Sequence, residues 1–228
     1  MDKHFTTVKD NFNQLAQDYD ILIPKLVPGY FELKRSILDA IKKLNLAKSN
    51  ILDIGCGTAI LGEDILGANK NYCYYGVDLS EQMVNIAKAR LESFNGRMEI
   101  FCADALKIKS LKLPKIDIIV SVLALHHFDN KRLIYKTIYD FASLNNSFFI
   151  LGDLVVDPFR DKPVYDFRVK HMKDLGMTEK EINEWFMVWK EEDKPSTIKE
   201  NTDLLKEIGF KPKLIWQNQS YASFICEL

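Results

Sequence analysis

No apolar run in the 228 residues reaches the roughly 18 that a membrane-spanning helix requires, so no span is expected. Cysteine is scarce and scattered. Cys56, Cys73, Cys102 and Cys226 lie far apart, three of them in apolar, strand-like runs, which supports neither a disulfide framework nor a zinc pattern and points to buried reduced thiols. Internal repeats, low-complexity tracts and Gly/Ser linkers are absent, and the chain is too short for two full catalytic domains, so a single domain over 1–228 is expected. Neither sign of charge is in excess: 31 basic against 32 acidic residues gives a net charge of −1, with no global attraction for polyanions. The start, Met1 to Phe5, lacks the basic and apolar stretches of an export signal, so cytoplasmic residence is expected.

What is present divides by changes of hydrophobic period. Residues 1–47 read as a helical cap: Phe12, Leu15, Ala16 and Tyr19 share a face of one helix, Pro28-Gly29 breaks the chain, and Ile37, Leu38, Ile41 and Leu44 line a second helix. From Asn50 to about Asp153, β-type runs at 51–54, 72–77, 98–103, 116–120 and 148–151 alternate with helical segments. Of these, the clearest starts at the N-cap Ser80, with Met83, Ile86, Ala87 and Leu91 on one face. Such alternation implies a parallel sheet covered on both faces. Residues 157–196 interrupt it with a charged, helix-prone insertion in which Trp185, Phe186 and Trp189 fall on one face, extended by Met187 and Val188. That face reads as core packing, as the wall of an apolar pocket, or as a dimer contact. A last helix around Leu204, Leu205 and Ile208 stops at Gly209. The runs 214–216 and 221–225 then pair as an antiparallel hairpin at one sheet edge. The expected fold is a three-layer α/β sandwich on a mainly parallel seven-stranded sheet with an antiparallel edge strand.

The strongest local signal is the strand Ile51-Leu52-Asp53-Ile54 running into Gly55-Cys56-Gly57-Thr58-Ala59 and a helix. Glycines at such a turn let a ligand lie against main-chain N–H groups at a helix start. A dinucleotide fingerprint would place its third glycine where Ile60 stands, so a nicotinamide or flavin cofactor loses its main support. Asp78 ends the second strand 21 residues after Gly57, the spacing at which a carboxylate accepts the two hydroxyls of an adenosine ribose. Asp104 follows the third strand, where an acid can accept an adenine amino group. Helix N-capping is the alternative for each acid alone.

In this order the residues resemble the class I S-adenosylmethionine-dependent methyltransferases: the Asp53-x-Gly55-x-Gly57-Thr58 turn, Asp78, Asp104 and the run Asp117 to Phe128 match that family's motifs over nearly the whole chain. The resemblance implies a Rossmann-like methyltransferase fold and S-adenosyl-L-methionine as cofactor, with S-adenosyl-L-homocysteine (SAH) as product. It implies that Gly55 and Gly57 border the methionine part, with Asp53 and Cys56 counted among the cofactor-binding residues of that turn. Asp78 holds the ribose, Leu79 and Met83 flank adenine, Asp104 and Ala105 meet its edge, and Ser121 lies beside the sulfonium. Ala59 departs from the family, many members having glycine there; a methyl group is tolerable if the residue is already helical. The run Phe12 to Asp20 is similar to the helix that closes over the cofactor in small-molecule methyltransferases, which places Tyr19 at the active site. Val27-Pro28-Gly29-Tyr30 and the stretch from Ile208 to Phe224 are similar to the carboxy-S-adenosylmethionine synthases, which act in tRNA wobble-uridine modification. That subgroup holds its additional carboxylate with an arginine at a position near Phe186, and no arginine follows Arg168 in this chain, which sets carboxyl transfer behind methyl transfer, although an arginine earlier in the chain could substitute.

Methyl transfer is in-line displacement at a sulfonium, needing orientation, exclusion of water and, for a protonated nucleophile, a base. His126 and His127 follow the fourth strand where the methyl should project. Successive residues leaving a strand point oppositely, so one of them, His127 first, is the candidate base; packing and loop hydrogen bonding are the alternative. His126, His127 and Asp153 could also compose a metal site, but the types are scattered over two strand ends and no metal is expected. Lys162, Arg168, Lys170, His171 and Lys173 make a local basic stretch offset by Asp161, Asp166 and Asp174, read as a solvated helix face with tRNA or an acidic substrate behind it. The expected activity is methyl transfer to a small-molecule acceptor in a soluble protein, with a homodimer possible. The alternatives are a tRNA-modification enzyme or carboxy-cofactor synthase, and a cofactor-binding protein without catalysis.

Overall fold

The computed structural model describes residues 3–228, with side chains from residue 7; Met1 and Asp2 of the initial run lie outside the described residues. Seven strands form one sheet: β1 (Ser49–Ile54), β2 (Tyr72–Asp78), β3 (Met98–Cys102), β4 (Ile118–Val122), β5 (Phe148–Leu154), β6 (Lys211–Gln217) and β7 (Tyr221–Glu227), in the order β3-β2-β1-β4-β5-β7-β6. The first five pair in parallel, and the C-terminal hairpin forms one edge. Within it β7 runs antiparallel to both neighbours, and β6 is outermost.

Successive residues of the central strands feed opposite layers, which is why their sequences read as unbroken apolar runs. Leu52, Ile119 and Phe149 pack under α6 (Lys131–Asn145) and α9 (Ile198–Ile208), together with Ile134, Ile138 and Leu205. Ile51, Ile118 and Ile150 face the other way, onto Ile37 and Ile41 of α3 (Tyr30–Lys43), Ile65 of α4 (Ile60–Ala68) and Val84 and Ala87 of α5 (Glu81–Arg90). The order reverses between β1 and β4, so their C-terminal ends open a crevice of the kind that receives ligands in such sheets.

Three sequence expectations are corrected. The single N-terminal helix is two: α1 (Lys3–Leu15) and α2 (Tyr19–Leu26), so Phe12 and Tyr19 reach the crevice from different helices. β4 begins and ends two residues later than expected, because Asp117 receives the Asn50 N–H and tethers the chain before the strand starts. The insertion forms α7 (Lys162–Asp174) and α8 (Glu179–Trp189). Phe186 and Trp189 are buried there, whereas Met187 and Val188 are exposed, being one and two positions off the buried face. Among the described residues no helix is long and apolar enough to cross a membrane.

Candidate functional site

β1 leaves the sheet through Gly55 (φ +73°) and Gly57 (φ +54°), both in the left-handed region. Gly55 has a second constraint: a Cβ there would lie 2.3 Å from that of Ala124. The N–H groups of Gly55 and Cys56 both donate to the carbonyl of Val77, and Gly57 N–H donates to Asp78 Oδ2 at 2.8 Å, so the turn is bound to the end of β2. Ala59 is not helical: it is the N-cap of α4 at φ +58°, ψ +34°, so the family's glycine would fit there without strain. Thr58 Oγ1 donates to Asp20 at 2.5 Å, and Asp20 also pairs with Arg90, latching α2 onto the turn.

Beyond the turn, at the C-terminal ends of β1 and β2, lies a cavity. Gly55, Gly57, Asp78, Leu79, Met83, Asp104 and Ala105, all anticipated from the sequence, line it. Asp78 accepts from Gly57 N–H through one oxygen and from Ser80 N–H through the other, while Ser80 caps α5 by accepting from Met83 N–H. Asp78 is therefore not the helix cap, and each oxygen keeps a lone pair for a ligand hydroxyl. Burial raises its carboxyl above the ordinary range, opposed by the backbone N–H groups of Ser80, Gly57 and Leu79. Asp104 does cap, accepting from Leu106 N–H at the start of a 3₁₀ turn, and lines the cavity as well.

Three of the anticipated cofactor-binding residues are not in this wall. Ser121 is fully buried and donates to the Ile54 carbonyl at 2.7 Å; Leu123 and Ala124 stand at the cavity instead. Asp53 and Cys56 lie under the turn beside a smaller hollow that also meets Tyr30 and Lys34. Burial pushes the Asp53 carboxyl up to about 7, partly offset by the Tyr74 hydroxyl that donates to it at 2.7 Å.

A second cavity adjoins the first. Phe12, Tyr19, Leu123 and His127 belong to both walls. Leu123, at φ +55°, is held in a strained backbone region at this junction. The histidine pair sits in a 3₁₀ turn, Leu125–His127, so the expectation that the rings diverge is corrected: their centroids are 4.0 Å apart and both line the second cavity. His126 Nδ1 is 2.5 Å from Asp153 Oδ1, and its Nε2 is 3.7 Å from Asp193 Oδ1, which lies 3.4 Å from His127 Nδ1. Lys131 donates to the carbonyls of Leu125 and Phe128, and Lys194 N–H donates to that of His126, pinning the turn from two sides. Tyr19 closes the junction, its phenol raised far above its ordinary value by desolvation first and by nearby Tyr30, Asp78 and Asp20 next. It remains a neutral donor.

Sequence reading missed Phe12, Leu123, Asp193 and the burial of Arg168. Asp193 lies in a charged stretch and Arg168 in a basic one, so composition pointed both to solvent. The basic stretch does not act as one face: Lys162 pairs with Asp166, Lys170 with Asp174, and His171 meets the Pro24 carbonyl, while Arg168 is 4% exposed. Among the described residues one group could hold a metal: His126, His127 and Asp193, with ligand atoms within 4.8 Å of one another. Asp193 takes the place given to Asp153, whose carboxylate is turned to His126 Nδ1.

Residues 51–142 match the methyltransferase domain family. A carboxy-S-adenosyl-L-methionine synthase of Nautilia profundicola is 25% identical over 215 residues, covering 93% of this chain and 91% of the relative; one from Nitratiruptor is 26% identical over 211 residues, covering 90% and 87%. Among solved structures, the DhpI–SAH complex superposes with a TM-score of 0.66 at 11% identity, covering 97% of this chain and 95% of that one. Magnesium protoporphyrin IX methyltransferase from Synechocystis, solved with bound SAH, gives 0.65 at 16% identity and 99% coverage of both chains. The sheet order, the glycine turn bound to Asp78 and the matched domain lead to one conclusion: residues 51–142 make a methyltransferase domain, of the type that uses S-adenosylmethionine, within a Rossmann-like methyltransferase fold.

Proposed function

We propose that the protein transfers a methyl group to a small-molecule acceptor held in the second cavity. The observation that carries this reading is the shared wall: Phe12, Tyr19, Leu123 and His127 border both cavities, so two ligands would meet there. The turn at Gly57, where a Cβ would meet only Tyr19 at 3.9 Å, and the acceptor capacity of Asp78 fit an adenosyl ligand in the larger one. Bound there, S-adenosylmethionine would supply an electrophilic methyl on a sulfonium, with the thioether SAH as the leaving group.

The chain's own residues would hold and shield this encounter. Gly55 and Gly57 admit the methionine part, Asp78 the ribose, Leu79 and Met83 the adenine faces, and Asp104 and Ala105 its edge. His127 faces the junction and would take the acceptor's proton on its imidazole. Asp193, with Oδ1 3.4 Å from His127 Nδ1, would stabilise that charge, while Asp153 orients the neighbouring His126. Helices α1 and α2 roof both cavities: Asn13 receives the Ser80 hydroxyl, and the Phe12 ring lies 5.2 Å from His127 and 5.0 Å from Trp189. With α7 and α8 they form a lid that excludes water. We assign the His126, His127 and Asp193 group to proton handling and not to a metal, because Lys131 and Arg168 already place positive charge beside it.

Incubation with methyl-labelled cofactor and a small-molecule extract tests this. Label is expected in a low-mass product, with SAH formed in equal amount. His127→Ala should lower that rate by about a hundredfold or more while SAH affinity holds. Label in tRNA, or carboxy-S-adenosyl-L-methionine as the product, would displace the reading.

A further inference from the structure

Arg168 projects from α7 into the second cavity and is absent from the walls of the first. At 4% exposure it is more deeply buried than an arginine ordinarily is. Its guanidinium packs 5.5 Å from the Phe186 ring and 5.9 Å from the Tyr221 ring. Among the described residues nothing accepts a hydrogen bond from it, and its Nε is buried without a partner. Asp193, whose charge it feels, stands beyond ion-pair distance and lies nearer the two histidines.

A guanidinium is permanently charged and carries five N–H donors in a planar fork. Burying it between rings with no acceptor is costly, and an apolar residue would pack there at less cost. A ligand anion supplies what is missing. Its identity follows from the surroundings. The fork matches two coplanar oxygens, and the carboxylate of Asp193 in the same wall would repel a dianion such as a phosphate more strongly than a monoanion. Away from the histidine pair and the two tyrosines, the rest of the wall, with Ile23, Leu26, Trp185 and Trp189, is apolar.

We propose that Arg168 anchors a carboxylate of the acceptor, so that the methylated molecule is a small carboxylic acid with an apolar or aromatic body. This rests on the methyl-transfer reading above. Because Arg168 borders only the second cavity, the anion belongs to the acceptor and not to the cofactor. Anchored there, the body of the acid extends toward His127 across the shared wall.

The test is calorimetry on the SAH-loaded protein with hexanoate, benzoate, phenylacetate and cinnamate, each beside its primary amide. At least one acid should bind, with its amide about tenfold weaker or more. Arg168→Met should erase that preference, Arg168→Lys should keep part of it, and SAH affinity should be unchanged in both. The Met variant without ligands should melt no lower than the unmodified protein, since an unpaired buried charge is removed. Four results would overturn the proposal: no acid binds; acid and amide bind alike; the Met variant keeps the preference; or it melts lower while the Lys variant has lost the preference, which makes Arg168 a packing residue. A fifth is a Met-sensitive preference for carboxy-S-adenosyl-L-methionine over S-adenosylmethionine, which would put the anion on the cofactor. Failure of SAH itself to bind the unmodified protein is a different result and removes the methyl-transfer reading beneath.

Discussion

Asp78 and Arg168 both present charge to a cavity, but they are held in different ways. Both Asp78 oxygens are fixed by backbone N–H groups of Gly57 and Ser80, at the ends of adjacent elements. Arg168 is fixed by ring faces from α8 and β7, and the walls around it come from α2, α8 and the turn after β4. The cofactor side is thus written into the backbone of consecutive strand ends. The acceptor side is assembled from side chains of segments far apart in sequence. Substitutions should strike the two sides differently: on the first, changes of backbone freedom matter most, and on the second, changes of side-chain chemistry.

The largest effect expected is at Gly55. Replacement by Ala drives a Cβ into Ala124 at positive φ, and should cost about 3 kcal/mol of stability with loss of SAH binding. Gly67, in α4 with nothing near its missing Cβ, is the control: Gly67→Ala should stabilise by about 0.5–1 kcal/mol in urea unfolding. Equal losses at both would show that the turn has no special geometry.

A smaller effect concerns the charge under the turn. The folded-state pKa of Asp53, about 7, lies above its unfolded value near 3.8, so the folded state binds the proton more tightly. The resulting stability is full below the unfolded pKa and is lost as pH rises through about 7. At roughly 1.4 kcal/mol per unit, the contribution is about 4 kcal/mol at most. Urea unfolding of the ligand-free protein should therefore show a decline from pH 5 to 8 that is distinctly shallower in Asp53→Asn; equal slopes would mean that Asp53 is already ionised at pH 5. The smallest effect is at Ala59, where Ala59→Gly should relieve left-handed strain and raise stability by up to about 1 kcal/mol. A loss there would mean that the buried methyl contributes more than the strain costs.

This contrast also explains what was legible in the sequence. Gly55, Gly57, Asp78 and Asp104 were readable because the turn and strand-end chemistry demand particular residues at particular spacings. Ser121 was misplaced because β4 was set two residues too early, which put Ser121 past the strand end when it lies inside the sheet. The direction of the histidine pair was hidden because a 3₁₀ turn as short as Leu125–His127 leaves no periodic signature. At Ala59 a methyl group was expected to be tolerable if the residue were helical; its left-handed conformation is imposed by the turn and leaves no mark in the local sequence. Arg168 and Asp193 look like surface charges in any local window; their burial is a tertiary fact, set by how α7 and α8 fold over the sheet edge.

The division of labour between the two sides is tested most directly by calorimetric SAH titration of Asp78→Ala and His127→Ala beside the unmodified protein, each confirmed as folded. Asp78→Ala is expected to weaken binding by about tenfold or more, through loss of charge-assisted hydrogen bonds to the ribose hydroxyls. His127→Ala should stay within about threefold, because its partner is the acceptor. Unchanged affinity in Asp78→Ala, or an equal loss in both variants, would contradict the separation of a backbone-built cofactor side from a side-chain-built acceptor side.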